Sequence, residues 1–134
     1  MKHSLRDDET LWTWGAGLGL TDGISGQLVQ LSSINDVTAM AAGNHHALIL
    51  RKNGTVVALG NNSYGQLGDG STLDSRKPVS VSQLSDVSAI SAGFQYSLAL
   101  KKDGSFWAWG NNEFGQLGDG TKQTRLTPIK VETL

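Results

Sequence analysis

Glycine-rich loops, paired imidazoles and hydroxyl-flanked asparagines are the residues of this chain whose types and spacing could do chemistry. The runs Gly65-Gln66-Leu67-Gly68-Asp69-Gly70 and Gly15-Ala16-Gly17-Leu18-Gly19 invite a phosphate-cradle reading. Such a cradle needs the loop to open a helix whose amides point at the anion, and a nucleotide loop adds Gly-Lys-Ser/Thr. Neither pattern follows these glycines, so the first run reads as a tight turn beneath Leu67, with Asp69 accepting local amide hydrogen bonds. His45 and His46 are adjacent, and neighbours on a strand face opposite sides, which puts one metal out of their joint reach. His46 is therefore expected to be a structural, hydrogen-bonded group. Asn53-Gly54-Thr55 and Asn61-Asn62-Ser63 match the glycosylation acceptor pattern, but turn chemistry accounts for both. No nucleophile stands with a base and an orienting partner, so the expectation is no catalytic residue, no metal ligand and no cofactor.

Composition narrows the setting of these residues. The 134-residue chain has a net charge of -1 and no cysteine, which removes disulfide and thiolate chemistry and any broad basic surface for nucleic acid. Met1 to Asp8 is charged where a secretory signal would be apolar, and no run reaches membrane-spanning length. A soluble protein is expected, with the cytoplasm favoured over secretion and the compartment otherwise undetermined.

The elements that must position the loops follow from repetition. Gly60 to Gly70 recurs about fifty residues later as Gly110 to Gly120, with Gly115, Gln116, Leu117, Gly118 and Gly120 matching Gly65, Gln66, Leu67, Gly68 and Gly70. Flanking residues recur too, so 35–84 and 85–134 form two copies of one unit. Residues 1–34 form a degenerate, incomplete first copy, recognised by Leu11-Trp12-Thr13-Trp14-Gly15 against Phe106-Trp107-Ala108-Trp109-Gly110, and by His3-Ser4-Leu5 against His46-Ala47-Leu48. That copy lacks the segment equivalent to 36–44 and has no Gly-Gln-Leu-Gly-Asp-Gly.

Within a unit the apolar period is two, which predicts strands. Val37, Ala39 and Ala41 alternate over a strand at 36–42; Ala47 to Leu50 and Val56 to Leu59 form a hairpin across Asn53-Gly54, read as a type I′ turn. A weaker fourth strand is expected at 79–81, with Pro78 at its entrance. Trp107 and Trp109, like Trp12 and Trp14, share one strand face and are expected to fill the space between neighbouring sheets. Three or four antiparallel strands in about fifty residues is one β-propeller blade, so the fold class is all-β.

These units resemble the repeats of the regulator of chromosome condensation family. The resemblance rests on Ala92-Gly93, Tyr96 to Leu100, Asp103-Gly104, Trp107-Ala108-Trp109-Gly110 and Asn112 to Gly120. It implies a propeller of four-stranded blades, seven in a complete domain, whereas this chain holds about three repeats. Three explanations stay open: a piece of a longer protein, a ring completed by homo-oligomerisation, or a partial propeller docked on another subunit. The roles the resemblance implies include guanine-nucleotide exchange on a small GTPase and other protein contacts, and none transfers residue by residue.

The leading expectation is a noncatalytic module that binds a protein of unknown identity through rim loops, with self-assembly and nucleotide exchange as alternatives. The stretches after each Gly-Asp-Gly differ most between copies, and such loops carry binding determinants because the scaffold does not depend on them. Asp74, Arg76, Lys77, Lys122 and Arg125 are the candidates there, together with Tyr64 and Phe114 before the shared glycine.

Overall fold

The computed structural model describes residues 2–5, 11–14, 29–30 and 37–131. The Gly15–Gly19 run, Asp36 and the residues after Val131 lie outside them.

The described residues form three antiparallel sheets. Blade A has three strands, β1 (Lys2–Leu5), β2 (Leu11–Trp14) and β3 (Val29–Gln30), in that order. Blade B is a meander of β4 (Val37–Ala42), β5 (His46–Arg51), β6 (Val56–Gly60) and β7 (Ser75–Ser80), and blade C repeats it with β8 (Val87–Ala92), β9 (Tyr96–Lys101), β10 (Phe106–Gly110) and β11 (Arg125–Val131). Because consecutive strands are antiparallel, the β4–β5 turn and the β6–β7 loop emerge at one end of blade B, and the β5–β6 hairpin at the other. Blade C does the same, so both glycine loops lie on one face of the molecule, termed the loop face; the opposite one is the hairpin face.

The main core lies between blades B and C rather than within either. Leu48, Leu50, Val56, Ala58 and Leu67 of blade B meet Val87, Ala99 and Trp109 of blade C, with Val81 and Leu84 of the connecting segment sealing the seam. Alternation along each strand makes this possible, since it gives each blade a leading and a trailing apolar face. Val37, Ala47, Ile49 and Leu59 form blade B's leading face, and Ala108, Leu117 and Val131 lie on blade C's trailing face. Trp107 and Trp109 do share a face and fill the space between sheets, Trp109 completely buried and Trp107 partly so.

Four expectations need correction. The pairing of β4 with β5 shifts between Val37 and Ala39, so Val37 joins Met40 on the leading face while Ala39 and Ala41 pack on the trailing one. One extra residue in a bulge inverts every side chain beyond it. The β5–β6 hairpin is not type I′: Gly54 has φ +84, whereas Asn53 is not in the left-handed region. Gly54 N donates to Arg51 O at 2.9 Å, closing a type I turn followed by a left-handed glycine, while Asn53 Oδ1 accepts the Thr55 amide at 3.1 Å. Pro78 lies inside β7, not at its entrance; β7 is an edge strand whose pairing with β6 shifts between Ala58 and Gly60, and a missing donor is tolerated there. In blade A, Leu5 pairs with Leu11 as Leu50 pairs with Val56 and Leu100 with Phe106. Leu5 is therefore the counterpart of Leu50, two residues on from the alignment with Leu48, because five residues separate the paired positions in both blades.

Candidate functional site

The loop face is built from asparagine upward. Gly60 leaves β6 with φ +116, and a Cβ there would lie 2.6 Å from His45 O, so the chain turns tightly against the β4–β5 turn. Asn62, fully buried, then becomes the hub of the loop. Its Oδ1 accepts the Leu67 amide at 2.9 Å, and its Nδ2 donates among Asp69 Oδ1, Ser71 O, Ser71 Oγ and Leu73 O at 3.0–3.3 Å. Asn112 repeats the arrangement with Leu117, Asp119, Thr121 and Gln123. Two amide hydrogens shared among four oxygens let one side chain tie together a loop that has no regular secondary structure.

The spacing of glutamine to the hub, the same in both loops, has its own reason. Gln66 Oε1 accepts the Tyr64 amide at 2.9 Å and Gln66 Nε2 donates to Asn61 Oδ1 at 3.1 Å, pinning the loop apex from inside. Gln116 Oε1 does the same for the Phe114 amide. The aromatic side chain before the glycine is thereby turned outward: Phe114 is 81% exposed and Tyr64 half-buried.

Gln66 also joins the blades. Its carbonyl oxygen accepts Ser97 Oγ–H at 2.8 Å and Trp109 Nε1–H at 2.9 Å, both from blade C. Having given its proton to Gln66, Ser97 Oγ accepts from His46 Nε2 at 2.9 Å, which fixes His46 as the neutral Nε2–H tautomer. Burial, helped by the nearby His45 and opposed by the Tyr96 backbone, lowers the His46 pKa to about 4. His46 is thus a structural link between blades. The glycines make room for that joint: a Cβ at Gly68 would sit 2.7 Å from Trp109 Nε1, and one at Gly65 2.9 Å from Leu126 Cα.

The candidate contact residues divide between scaffold and surface. Asp74 is exposed, yet its Oδ1 accepts the Asn62 amide at 2.8 Å. Arg125 is half-buried, with Nε 3.1 Å from Asp119 Oδ2. Burial alone would raise the Asp119 carboxyl; the Thr121 amide and hydroxyl, the Asn112 amide and Arg125 outweigh it and hold the pKa at about 2. Lys77 and Lys122 project into solvent, and Arg76 lies in β7.

Two exposed side chains of this face escape sequence reasoning. Leu73, 74% exposed, ends the hub's acceptor series, and Phe94, 61% exposed, tops the β8–β9 turn where blade B has Asn44. With Phe114 they put three large apolar groups in water on one face, where the hairpin face offers Phe106 at 40%. An aromatic between Gly93 and Gln95, in a turn too short to bury it, was the available signal for Phe94.

Comparison with known proteins bears on these loops. Two models of the regulator of chromosome condensation (RCC1) repeat match, one over residues 37–66 and 87–116 and the other over 53–100 and 103–134. Among curated proteins, the E3 ubiquitin-protein ligase highwire of Drosophila melanogaster is 43% identical over 53 residues, 40% of this chain and 1% of that protein. The mitochondrial RCC1 domain-containing protein RUG3 of Arabidopsis thaliana is 33% identical over 83 residues, 57% of this chain and 19% of its own length. A Danio rerio RCC2 homolog is 35% identical over 82 residues, 54% of this chain and 17% of its own. The chain thus spans less than a fifth of these relatives. Among solved structures, Prp20p of Saccharomyces cerevisiae superposes with TM-score 0.85 at 22% identity, covering 98% of this chain and 36% of Prp20p. Human WBSCR16 gives 0.81 at 27%, covering 98% and 37%.

Proposed function

The chain belongs to the regulator of chromosome condensation repeat family, and on that premise we propose that it is a noncatalytic protein-docking module whose loop face makes the contact. One observation carries the reading: Leu73, Phe94 and Phe114 stand in water on the face where the loops are wired from within. Apolar anchors on a rigid base lose little entropy on binding, and aromatic groups dominate interface energetics. The exposed Lys77 and Lys122 add charge that steers a partner more than it holds one. Protein contacts are recorded for a relative of the same fold, since a solved structure shows Kap60 bound to yeast RCC1 (Prp20).

The test compares parent protein, the triple variant Leu73→Ser/Phe94→Ser/Phe114→Ser and the hairpin-face variant Lys102→Ser/Asp103→Ser in quantitative affinity capture from cell extract. Proteins held by the parent and the hairpin-face variant but lost by the triple variant are expected. Capture that survives the triple variant refutes loop-face docking. Nucleotide exchange on a small GTPase is a narrower form of the same reading, and an unchanged rate of nucleotide loss across candidate GTPases would remove it.

A further inference from the structure

The hairpin face carries a reactive dipeptide. Of the seven asparagines in the chain, only Asn53 precedes a glycine. The Cγ of an asparagine is an electrophile, and the backbone nitrogen of the next residue can close on it to a five-membered imide. A following glycine, with no Cβ in the way, lets that nitrogen approach most freely. Asn53 is exposed at the tip of the β5–β6 hairpin, where water and hydroxide reach it.

The turn primes the electrophile and ties the nucleophile. Asn53 Oδ1 accepts the Thr55 amide at 3.1 Å and the Thr55 hydroxyl at 2.6 Å, so two donors already face the oxygen on which negative charge develops during attack at Cγ. Gly54 N, the attacking atom, is engaged elsewhere, since its hydrogen is donated to Arg51 O at 2.9 Å. Gly54 is itself buried, and its carbonyl accepts the Val87 amide at 3.0 Å. Swinging Gly54 N round to Cγ therefore means opening the turn.

Blade C displays what the reaction would leave behind. Asp103 stands where blade B has Asn53, and its Oδ1 accepts the Ser105 amide at 2.9 Å and the Ser105 hydroxyl at 2.6 Å. Gly104 N closes on Lys101 O at 3.0 Å, and the two glycines have φ +84 and +88. The Ser105 hydroxyl and amide hold the Asp103 carboxyl below its usual range, so the turn suits a carboxylate as well as an amide.

We propose that Asn53-Gly54 is a site of spontaneous deamidation, gated by opening of the hairpin turn, whose aspartate product the fold accepts. Gly54 N passes its proton to hydroxide and bonds to Asn53 Cγ; Nδ2 takes a proton from water and leaves as ammonia. Water then opens the imide. Addition at Cγ breaks the new bond and gives aspartate, with one added negative charge. Addition at the main-chain carbonyl carbon breaks the original peptide bond and gives isoaspartate, which lengthens the backbone inside a turn closed between Arg51 and Gly54. The site lies on the opposite face from the docking loops and stands independently of that reading.

Peptide mass mapping of the full chain during storage at mildly alkaline pH tests the proposal, with a synthetic peptide of residues 51–56 as the open reference. Acid is expected first at residue 53, at a rate about tenfold or more below that of the peptide, the factor for breaking one or two turn hydrogen bonds. Asn53→Gln, whose longer side chain must close a larger ring, is expected to stop the gain at that position. Asn53→Asp is expected to match the parent in far-UV circular dichroism and in urea midpoint. Acid appearing first at another asparagine, or no conversion at residue 53 long after the peptide is spent, would overturn the site. Conversion as fast in the folded chain as in the peptide would overturn the gating, and a clearly less stable Asn53→Asp the accepted product.

Discussion

A single methyl group placed at Gly68 and, separately, at Gly118 measures what the inter-blade joint is worth. The two glycines have nearly the same backbone, φ +71 and +73, so alanine meets the same left-handed penalty at both, about 1 kcal/mol. A partial offset of about 0.5 kcal/mol comes from the stiffer unfolded chain and is again common to both. The surroundings differ. At Gly68 the new Cβ lies 2.7 Å from Trp109 Nε1, 2.9 Å from Trp109 Cδ1 and 2.9 Å from Val81 Cγ1. Trp109 is fully buried and tethered to Gln66 O at 2.9 Å, so it cannot withdraw without breaking that bond. Overpacking costs about 1–3 kcal/mol and the strained hydrogen bond about 1 kcal/mol more. Among the described residues, Gly118→Ala meets only Val131 Cγ1 at 3.9 Å, an ordinary contact. Gly68→Ala is therefore expected to be the more destabilising by about 2–4 kcal/mol. Urea unfolding followed by tryptophan fluorescence and far-UV circular dichroism, at dilution low enough for monomer, reads the difference as a shift in midpoint at constant slope. Equal losses at the two positions would refute the reasoning, because backbone strain alone would then explain both.

Three further outcomes follow from the same contacts. Asn62→Ala leaves the Leu67 amide and the carbonyls of Ser71 and Leu73 without their partner, so a loss of roughly 3 kcal/mol is expected in chemical denaturation, and retained stability would show that water replaces the hub. Trp109→Phe keeps most of the apolar burial but removes the donor to Gln66 O, for an expected loss of about 1–2 kcal/mol, with Trp107→Phe as the milder control. The third outcome is a pH dependence set by His46, whose folded pKa of about 4 lies below its ordinary 6.5. Below pH 6.5 the unfolded chain takes up the proton first, so the stabilisation is full above that pH and lost as pH falls toward 4, roughly 3 kcal/mol in all. Thermal melts from pH 7 to pH 4 should steepen for the parent relative to His46→Gln; parallel curves would remove His46 from the account.

Much of the site's scaffold is legible in the sequence, and the part that is not has definite physical causes. Gly65, Gln66, Leu67 and Gly68 stand out through repetition, and the pairing of Trp107 with Trp109 on one face follows from strand period alone. The type of the hairpin turn was not readable, because Asn-Gly suits both a type I′ turn and a type I turn capped by a left-handed glycine; closure from Gly54 N to Arg51 O decided between them. The bulge at Val37 and Ala39 was invisible for a similar reason, since it leaves residue types unchanged and alters only which face they reach. Asp74 and Arg125 read as free surface charges, yet one caps the Asn62 amide and the other pairs with Asp119.

The sequence by itself determined the repeat, the strand period and so the blade, because those depend on spacing along the chain. It also supplied the two tryptophan pairs and the two glycine loops. Only the tertiary structure decided that a loop and a tryptophan from successive blades form one joint, through a carbonyl on Gln66 that no residue type announces. A backbone oxygen is present at every position, and what distinguishes this one is where two sheets bring it. The same meeting of sheets explains why Gly68 is filled over, whereas among the described residues Gly118 has nothing nearer than Val131 Cγ1 at 3.9 Å, although the eleven residues around each are nearly the same.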